Sequence, residues 1–328
     1  MFEEIEKNIY RIKVSLPRNP LKTLNSYVVV GTERNLLIDL GFNRDECYAD
    51  LSAGLRALQL DMERTDIFLT HLHSDHSGLI HRVAREDTRI YMSRDDAKIN
   101  SGFLRDKLAT WEKIERSYVK AGYALDEQIK TREANPAFSA APAAYFETED
   151  IDDGALIDLG GIVLQTVHTP GHTPGHMCLF DAERGVLFSG DHILFDITPN
   201  ITEWEDLDNS LGAYMESLKR VRRMPVRRTL TGHRENKGDF VTRIDEILAH
   251  HETRLREVRT ILAREPGLTA YELAARMTWS INVRCWEEFP PGQKWFAVGE
   301  ALSHLRYLEC GGVIRREEVD GRYRNFTI

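Results

Sequence analysis

Cysteine is scarce in this chain: four residues in 328, Cys47, Cys178, Cys285 and Cys310. They lie far apart and form no CxxC pair, which excludes a disulfide framework and a thiolate zinc ribbon. Four reduced thiols in a cytoplasmic protein are the expectation. Long apolar runs are absent too. No stretch of about eighteen apolar residues occurs, so no membrane span is expected. The chain opens Met1-Phe2-Glu3-Glu4-Ile5-Glu6, acidic where a secretory leader would be basic and then apolar. Positive charge is in deficit, 43 Lys and Arg against 52 Asp and Glu, a formal net charge of −9. Residues 241–328 hold 13 of each sign, so the whole acidic excess lies in residues 1–240. An acidic body argues against tight, nonspecific nucleic-acid binding by that part.

Imidazole, by contrast, is concentrated. Thr70-His71-Leu72-His73-Ser74-Asp75-His76 sets four metal-binding side chains within six residues, directly after the strand-like Ile67-Phe68-Leu69. A packed core has no use for so much imidazole in one turn, whereas a divalent metal does. On extended backbone His71 and His73 share a side and so can share an ion. Asp75 and His76, beyond a turn-rich Ser-Asp-His-Ser-Gly, fit a second. Two imidazoles are too few for a catalytic zinc, which commonly has three protein ligands and a place for water. His172 in Thr-Pro-Gly-His and His233 in Thr-Gly-His are available third ligands, and Asp191 in Ser-Gly-Asp is short enough to bridge. His168 and His176 flank His172, but Pro170 and Pro174 forbid the helix that would align the three. His81, His250, His251 and His304 read as ordinary polar residues of helices.

The ordered set His71-x-His73-x-Asp75-His76, His172, Asp191 and His233 resembles the metallo-β-lactamase superfamily of dinuclear hydrolases over roughly residues 1–240. The resemblance implies an αββα sandwich, an α+β fold. It also implies one metal on His71, His73 and His172, a second on Asp75, His76 and His233, and Asp191 between them. Asp39, in Leu-Leu-Ile-Asp-Leu-Gly, matches a strand-end carboxylate that orients a ligand imidazole. True β-lactamases of the family often carry a ligand cysteine. None lies in these motifs, which points instead to thioesterase, lactonase or phosphodiesterase branches.

The patterning agrees with two β-rich halves. Residues 4–14 and 24–40 read as strands, 44–60 as a helix, and 67–70 and 89–92 as further strands. A second half restarts near residue 156, with strands at 155–158, 161–168, 176–181, 185–189 and 228–230 and a helix near 207–222. Between them, about 98–140, apolar residues recur at helical steps (Leu108, Trp111, Ile114, Tyr118). This insertion reads as a helical cap whose aromatics line a substrate pocket, or alternatively as a dimer contact. Residues 241–328 read as three helices and a hairpin around Asp320-Gly321, similar to a winged helix. Its arginines are diluted by acids, so nucleic acid is the less favoured partner.

The expected enzyme is a metal-dependent hydrolase. A metal-bridging hydroxide would attack a small ester-like substrate, a thioester or lactone, with Asp75 and Asp191 as the catalytic carboxylates. Two divalent ions are implied, zinc first, with iron or manganese as alternatives. A phosphodiesterase or endoribonuclease that holds nucleic acid on the winged helix is the competing reading.

Overall fold

Period-two alternation sorts the strands into two faces, and the two faces become two layers of core. The computed structural model describes residues 2–281 and 283–328. The first half runs β1 (Phe2–Glu6), β2 (Ile9–Ser15), β3 (Thr23–Val30), β4 (Asn35–Ile38), α1 (Asp45–Ala57), β5 (Thr65–Phe68), α2 (Ser74–Ser77), α3 (Ile80–Val83) and β6 (Ile90–Ser93). The insertion supplies α4 (Arg94–Arg105), α5 (Lys107–Lys120), α6 (Leu125–Ala134) and α7 (Pro136–Ser139), and β7 (Glu149–Ile151) closes this half. The strands form one seven-stranded sheet in the order β1 to β7, antiparallel as far as β4 and parallel beyond.

The second half is β8 (Leu156–Asp158), β9 (Val163–His168), β10 (Met177–Asp181), β11 (Val186–Gly190), α8 (Ser210–Val221) and β12 (Arg228–Thr231). Its five-stranded sheet runs β12-β11-β10-β9-β8, with only β11 and β12 parallel. Tyr27, Val29, Leu36, Ile38 and Phe68 of the first sheet meet Leu164, Met177, Leu179, Phe188 and Leu230 of the second. The opposite face of the first sheet buries Ile12, Val28, Leu37 and Ile67 under Cys47, Leu51 and Leu55 of α1. The opposite face of the second sheet buries Cys178, Phe180 and Leu187 under Leu211, Tyr214 and Leu218 of α8. Each such aliphatic burial is worth roughly 1.5–3 kcal/mol. The result is the expected αββα sandwich.

The remaining residues form α9 (Phe240–Arg264), α10 (Ala270–Ala274), α11 (Pro291–Cys310) and the hairpin β13 (Ile314–Val319) and β14 (Arg322–Thr327). Thr269 and Glu272 make a reciprocal capping box at the start of α10. Asp320 and Gly321, both at positive φ, turn the hairpin. Ile244, Val258, Leu302 and Leu305 of this segment share one core with Phe180, Leu187 and Tyr214.

Three details depart from the expected elements. The strands expected at 4–14 and 24–40 each fold back into two, the first at Asn8 (φ 66°). β7 is an additional, mostly exposed strand. Trp111 and Tyr118 of the insertion are buried rather than set in an open pocket wall. Tyr118 stacks on Trp295 of α11 at 4.0 Å and 4° between planes, and Trp111 sits 5.5 Å from the same ring. The insertion is therefore bolted to the C-terminal segment by aromatic packing.

Candidate metal centre

All seven residues singled out in the sequence converge at one end of the sandwich. His71, His73, Asp75 and His76 follow β5, His172 follows β9, Asp191 follows β11, and His233 follows β12. These are the C-terminal ends of strands, where open sheets commonly present their ligands. Two glycines allow the approach. A Cβ on Gly232 would stand 2.6 Å from Asp191 Oδ1, and one on Gly190, at φ 47°, would stand 2.8 Å from His176 Nε2.

The hydrogen bonds fix which nitrogen of each imidazole carries its proton. His76 Nδ1–H donates to Asp39 Oδ2 at 2.7 Å. His233 Nδ1–H donates to the Thr23 carbonyl at 2.8 Å, and His172 Nδ1–H to the Asn200 carbonyl at 2.9 Å. Thr70 Oγ1 donates to Asp39 at 2.8 Å and so accepts from His71 Nδ1–H at 3.0 Å. Each of these four rings therefore turns its Nε2 inward. His71 Nε2 and His172 Nε2 each lie 3.0 Å from His73 Nδ1. Nε2 of His76, Nε2 of His233 and Oδ1 of Asp191 are buried without any protein partner.

A cation answers this arrangement, and the donor set fits one. The groups His71–His73–His172, His71–His76–Asp191 and Asp75–His76–His233 each place their ligand atoms within 4.8 Å of one another. A tetrahedral ion with bonds of roughly 2.0–2.1 Å needs donors about 3.3 Å apart. Asp191 faces both ways: Oδ1 is 3.6 Å from His76 Nε2 and 3.5 Å from His233 Nε2, while Oδ2 is 3.7 Å from His172 Nε2. Asp75 Oδ2 stands 3.3 Å from His233 Nε2.

The electrostatics agree. Burial drives the pKa of His71 well below the ordinary imidazole range and that of His73 to about 3, so both stay neutral donors. Burial also opposes charge on His76, but Asp39 and Asp191 outweigh it and hold its pKa well above that range. Burial is likewise outweighed at Asp191, where His233 and His76 keep the carboxylate ionised. The carboxylates thus draw positive charge to the gap between the rings.

Asp39, at φ 57°, acts as the orienting carboxylate anticipated for it, holding His76 and the backbone N–H of Thr70. His176 spends both ring nitrogens on the protein: its Nδ1 meets Thr169 Oγ1, and its Nε2 accepts the Asp191 N–H at 3.2 Å. His168 Nε2 meets the Pro174 carbonyl.

One positioning residue was missed in the sequence. Asp96, fully buried on α4, accepts from Leu72 N–H at 2.9 Å and Thr173 Oγ1–H at 2.7 Å on Oδ2, and from Gly175 N–H at 2.7 Å on Oδ1. It ties the His71–His73 loop to the His172 loop. Burial lifts its carboxyl to about 6 against the pull of these three donors. Ser93-Arg94-Asp95-Asp96 reads only as a helix start, with Ser93 as the cap and acids in the first turn.

A two-sheet sandwich with clustered imidazoles and carboxylates at its strand ends defines a metal-binding hydrolase. The family model described as metallo-beta-lactamase superfamily matches residues 22–233, and the chain belongs to that superfamily. Among curated relatives, the beta-lactamase-like protein 2 homolog of Caenorhabditis elegans is 27% identical over 86% of this chain and 82% of its own. The human acyl-coenzyme A thioesterase MBLAC2 is 27% identical over 64% of this chain and 72% of its own length. The atrochrysone carboxyl ACP thioesterase of Emericella nidulans is 25% identical over 67% and 53%. A solved metallo-beta-lactamase family protein from Thermus thermophilus superposes with a TM-score of 0.82. It is 26% identical and covers 99% of this chain and 100% of its own.

Proposed function

We propose that this hydrolase cleaves thioesters of small acyl groups, with two divalent ions, zinc by preference, held by the seven residues. The observation that carries the reading is the convergence of the seven side chains, with His76 Nε2, His233 Nε2 and Asp191 Oδ1 buried and partnerless among them. The substrate class rests on the two relatives named as thioesterases. Lactones are the adjacent class.

Such ions supply Lewis acidity toward the carbonyl and make bound water nucleophilic near neutral pH. The chain's own groups do the rest. Asp39, Thr23, Asn200 and Thr70 fix the imidazole protons on the outer nitrogens. Asp75 is the ligand-set acid with some exposure, its side chain 14% accessible. Burial is outweighed there by the nearby imidazoles of His233 and His76, which leave its pKa at about 2. It is therefore a hydrogen-bond acceptor throughout the physiological range, suited to orient an attacking water. Asp191 divides its two oxygens between the two donor groups.

Nucleic-acid hydrolysis is the weaker reading. In the hairpin Arg316 pairs with Glu203 and Glu309, Arg315 with Glu317, and Arg324 with Glu272. Those charges are already neutralised within the fold, leaving little for phosphates. We take residues 1–240 as the catalytic unit and 241–328 as a winged-helix-like unit that packs against it, in a cytoplasmic protein; no helix among the described residues is long and apolar enough to cross a membrane.

The test is a panel of acyl-coenzyme A thioesters, lactones, phosphodiesters, a cephalosporin and single-stranded RNA, run on protein of known metal content. Thioester turnover that disappears with a chelator and returns with zinc is expected. Turnover of RNA or phosphodiesters without thioester cleavage overturns the proposal.

A further inference from the structure

The segment 200–208 lies between the metal centre and everything added to the sandwich. On its inner side the Asn200 carbonyl takes the His172 proton, and Trp204 Nε1–H donates to the His172 carbonyl at 3.0 Å. The Trp204 ring lies 6.1 Å from the His73 imidazole, tilted by 30°, and is only half-buried. On its outer side the same segment is gripped by the insertion and the C-terminal residues. Glu205 pairs with Lys113 of α5 at 2.6 Å, Asp206 with Lys98 of α4 at 3.0 Å, Glu203 with Arg316 of β13 at 3.6 Å, and Asp208 with Arg306 of α11. Ser303 Oγ–H donates to the Ile201 carbonyl at 2.7 Å. Asn200 Nδ2–H donates to the carbonyl of Phe296.

Surface ion pairs are individually weak, and a segment that only needed to carry Asn200 would not need four of them. What they fix is the large apolar face of Trp204 beside His73. A fixed, half-open indole next to a polar centre is the usual way a pocket binds the apolar part of a ligand while polar groups handle the reacting end.

We propose that Trp204 is a specificity-determining residue, the wall on which the acyl chain of the substrate lies, held in place by the insertion and the C-terminal segment. This rests on the thioesterase reading above.

The experiment uses the full, metal-loaded chain. An acyl-coenzyme A series of rising chain length gives KM and kcat, and the non-hydrolysable S-decyl thioether of coenzyme A gives a Kd by calorimetry. Trp204→Ala should raise KM for medium chains and the thioether Kd by about tenfold or more, and KM for acetyl-coenzyme A by less. Trp204→Phe, which keeps an apolar ring but loses the N–H bond to His172, should stay within about threefold of wild type. Metal content, measured on each variant, should stay at the wild-type value. An unchanged thioether Kd in Trp204→Ala overturns the inference, and so does a Phe variant as poor as the Ala variant. The second result would mean that the residue only braces the His172 loop. Wild-type protein that turns over no thioester overturns the parent reading as well, and that is seen before any variant is made.

Discussion

The molecule buries two groups of histidines, alike in depth but not in what surrounds them: carboxylates hold His76 and His233 above the ordinary imidazole range. At the strand ends His71, His76 and His233 are fully buried. Between α9 and α11, His251 and His304 are buried just as deeply, and burial lowers the pKa of both. In the second pair the nitrogens are spent on the protein. His304 Nδ1–H donates to the Glu300 carbonyl at 2.7 Å, which leaves its Nε2 to accept from His251 Nδ1–H at 3.3 Å. His251 Nε2 is left without a partner, but after burial the groups that act on it are His304, His250 and Arg254, all of which disfavour a positive charge there. In the first group Nε2 of His76 and Nε2 of His233 lie buried without partners, facing Asp191 and Asp75. Burial and depressed basicity alone do not mark a metal site. Convergence of bare donors with acids does.

The largest test of that contrast removes one donor from each group. His76→Ala or Asp191→Ala should lower kcat by about a thousandfold or more, because several kcal/mol of transition-state charge stabilisation is lost. The metal content should fall in step. His304→Asn, which keeps a donor for the Glu300 carbonyl, should leave kcat and metal content within about twofold. Equal losses in both groups would erase the distinction, and activity in a metal-free Asp191→Ala preparation would remove the enzymatic reading.

The first group was readable in the sequence because its parts are local. Each ligand follows a strand-like run, and Gly171, Gly190 and Gly232 stand immediately before His172, Asp191 and His233. The chemistry that needs a close backbone approach thus leaves its mark beside the ligand. Asp96 left no such mark, because its role depends on where α4 docks, and a helix-start aspartate has an ordinary explanation. The insertion was misread for a related reason. Helical spacing shows that Trp111 and Tyr118 share an apolar face, but not that Trp295, nearly two hundred residues later, covers it. The joint core of α8, α9 and α11 was equally hidden, since periodicity names an apolar stripe and not its partner. β7 escaped because Glu149-Asp150-Ile151 joins the sheet through backbone pairing, with little apolar pattern of its own.

Asp96 sharpens the comparison from inside the site, since it touches no ligand side chain. Asp96→Ala should weaken metal affinity or activity by about 10–100-fold, the usual range for groups that orient ligands indirectly. Asp96→Asn keeps one acceptor oxygen and should recover part of it. The useful readout is metal affinity by competition with a chromogenic chelator. A fold-only role would instead lower the unfolding midpoint and leave the affinity of the folded protein unchanged.

The smallest effect belongs to the second group and concerns pH. The pKa of His304 is pushed down to about 4 by burial, while in the unfolded chain it returns to the ordinary value near 6.5. Between those two values the unfolded chain binds a proton that the folded protein refuses. Stability must then rise with pH across this window and fall as the solution is acidified from about 6.5 toward 4. His304 alone accounts for about 2 kcal/mol between pH 7 and pH 5. Acid also weakens the metal centre, so the informative quantity is a difference. In urea unfolding at both pH values, wild type should lose about 2 kcal/mol more than His304→Asn, because only wild type carries this imidazole. Parallel losses in the two proteins would show that His304 is charged in the fold or already neutral in the unfolded chain. Either result would leave the metal-site histidines as the main source of acid sensitivity in this molecule.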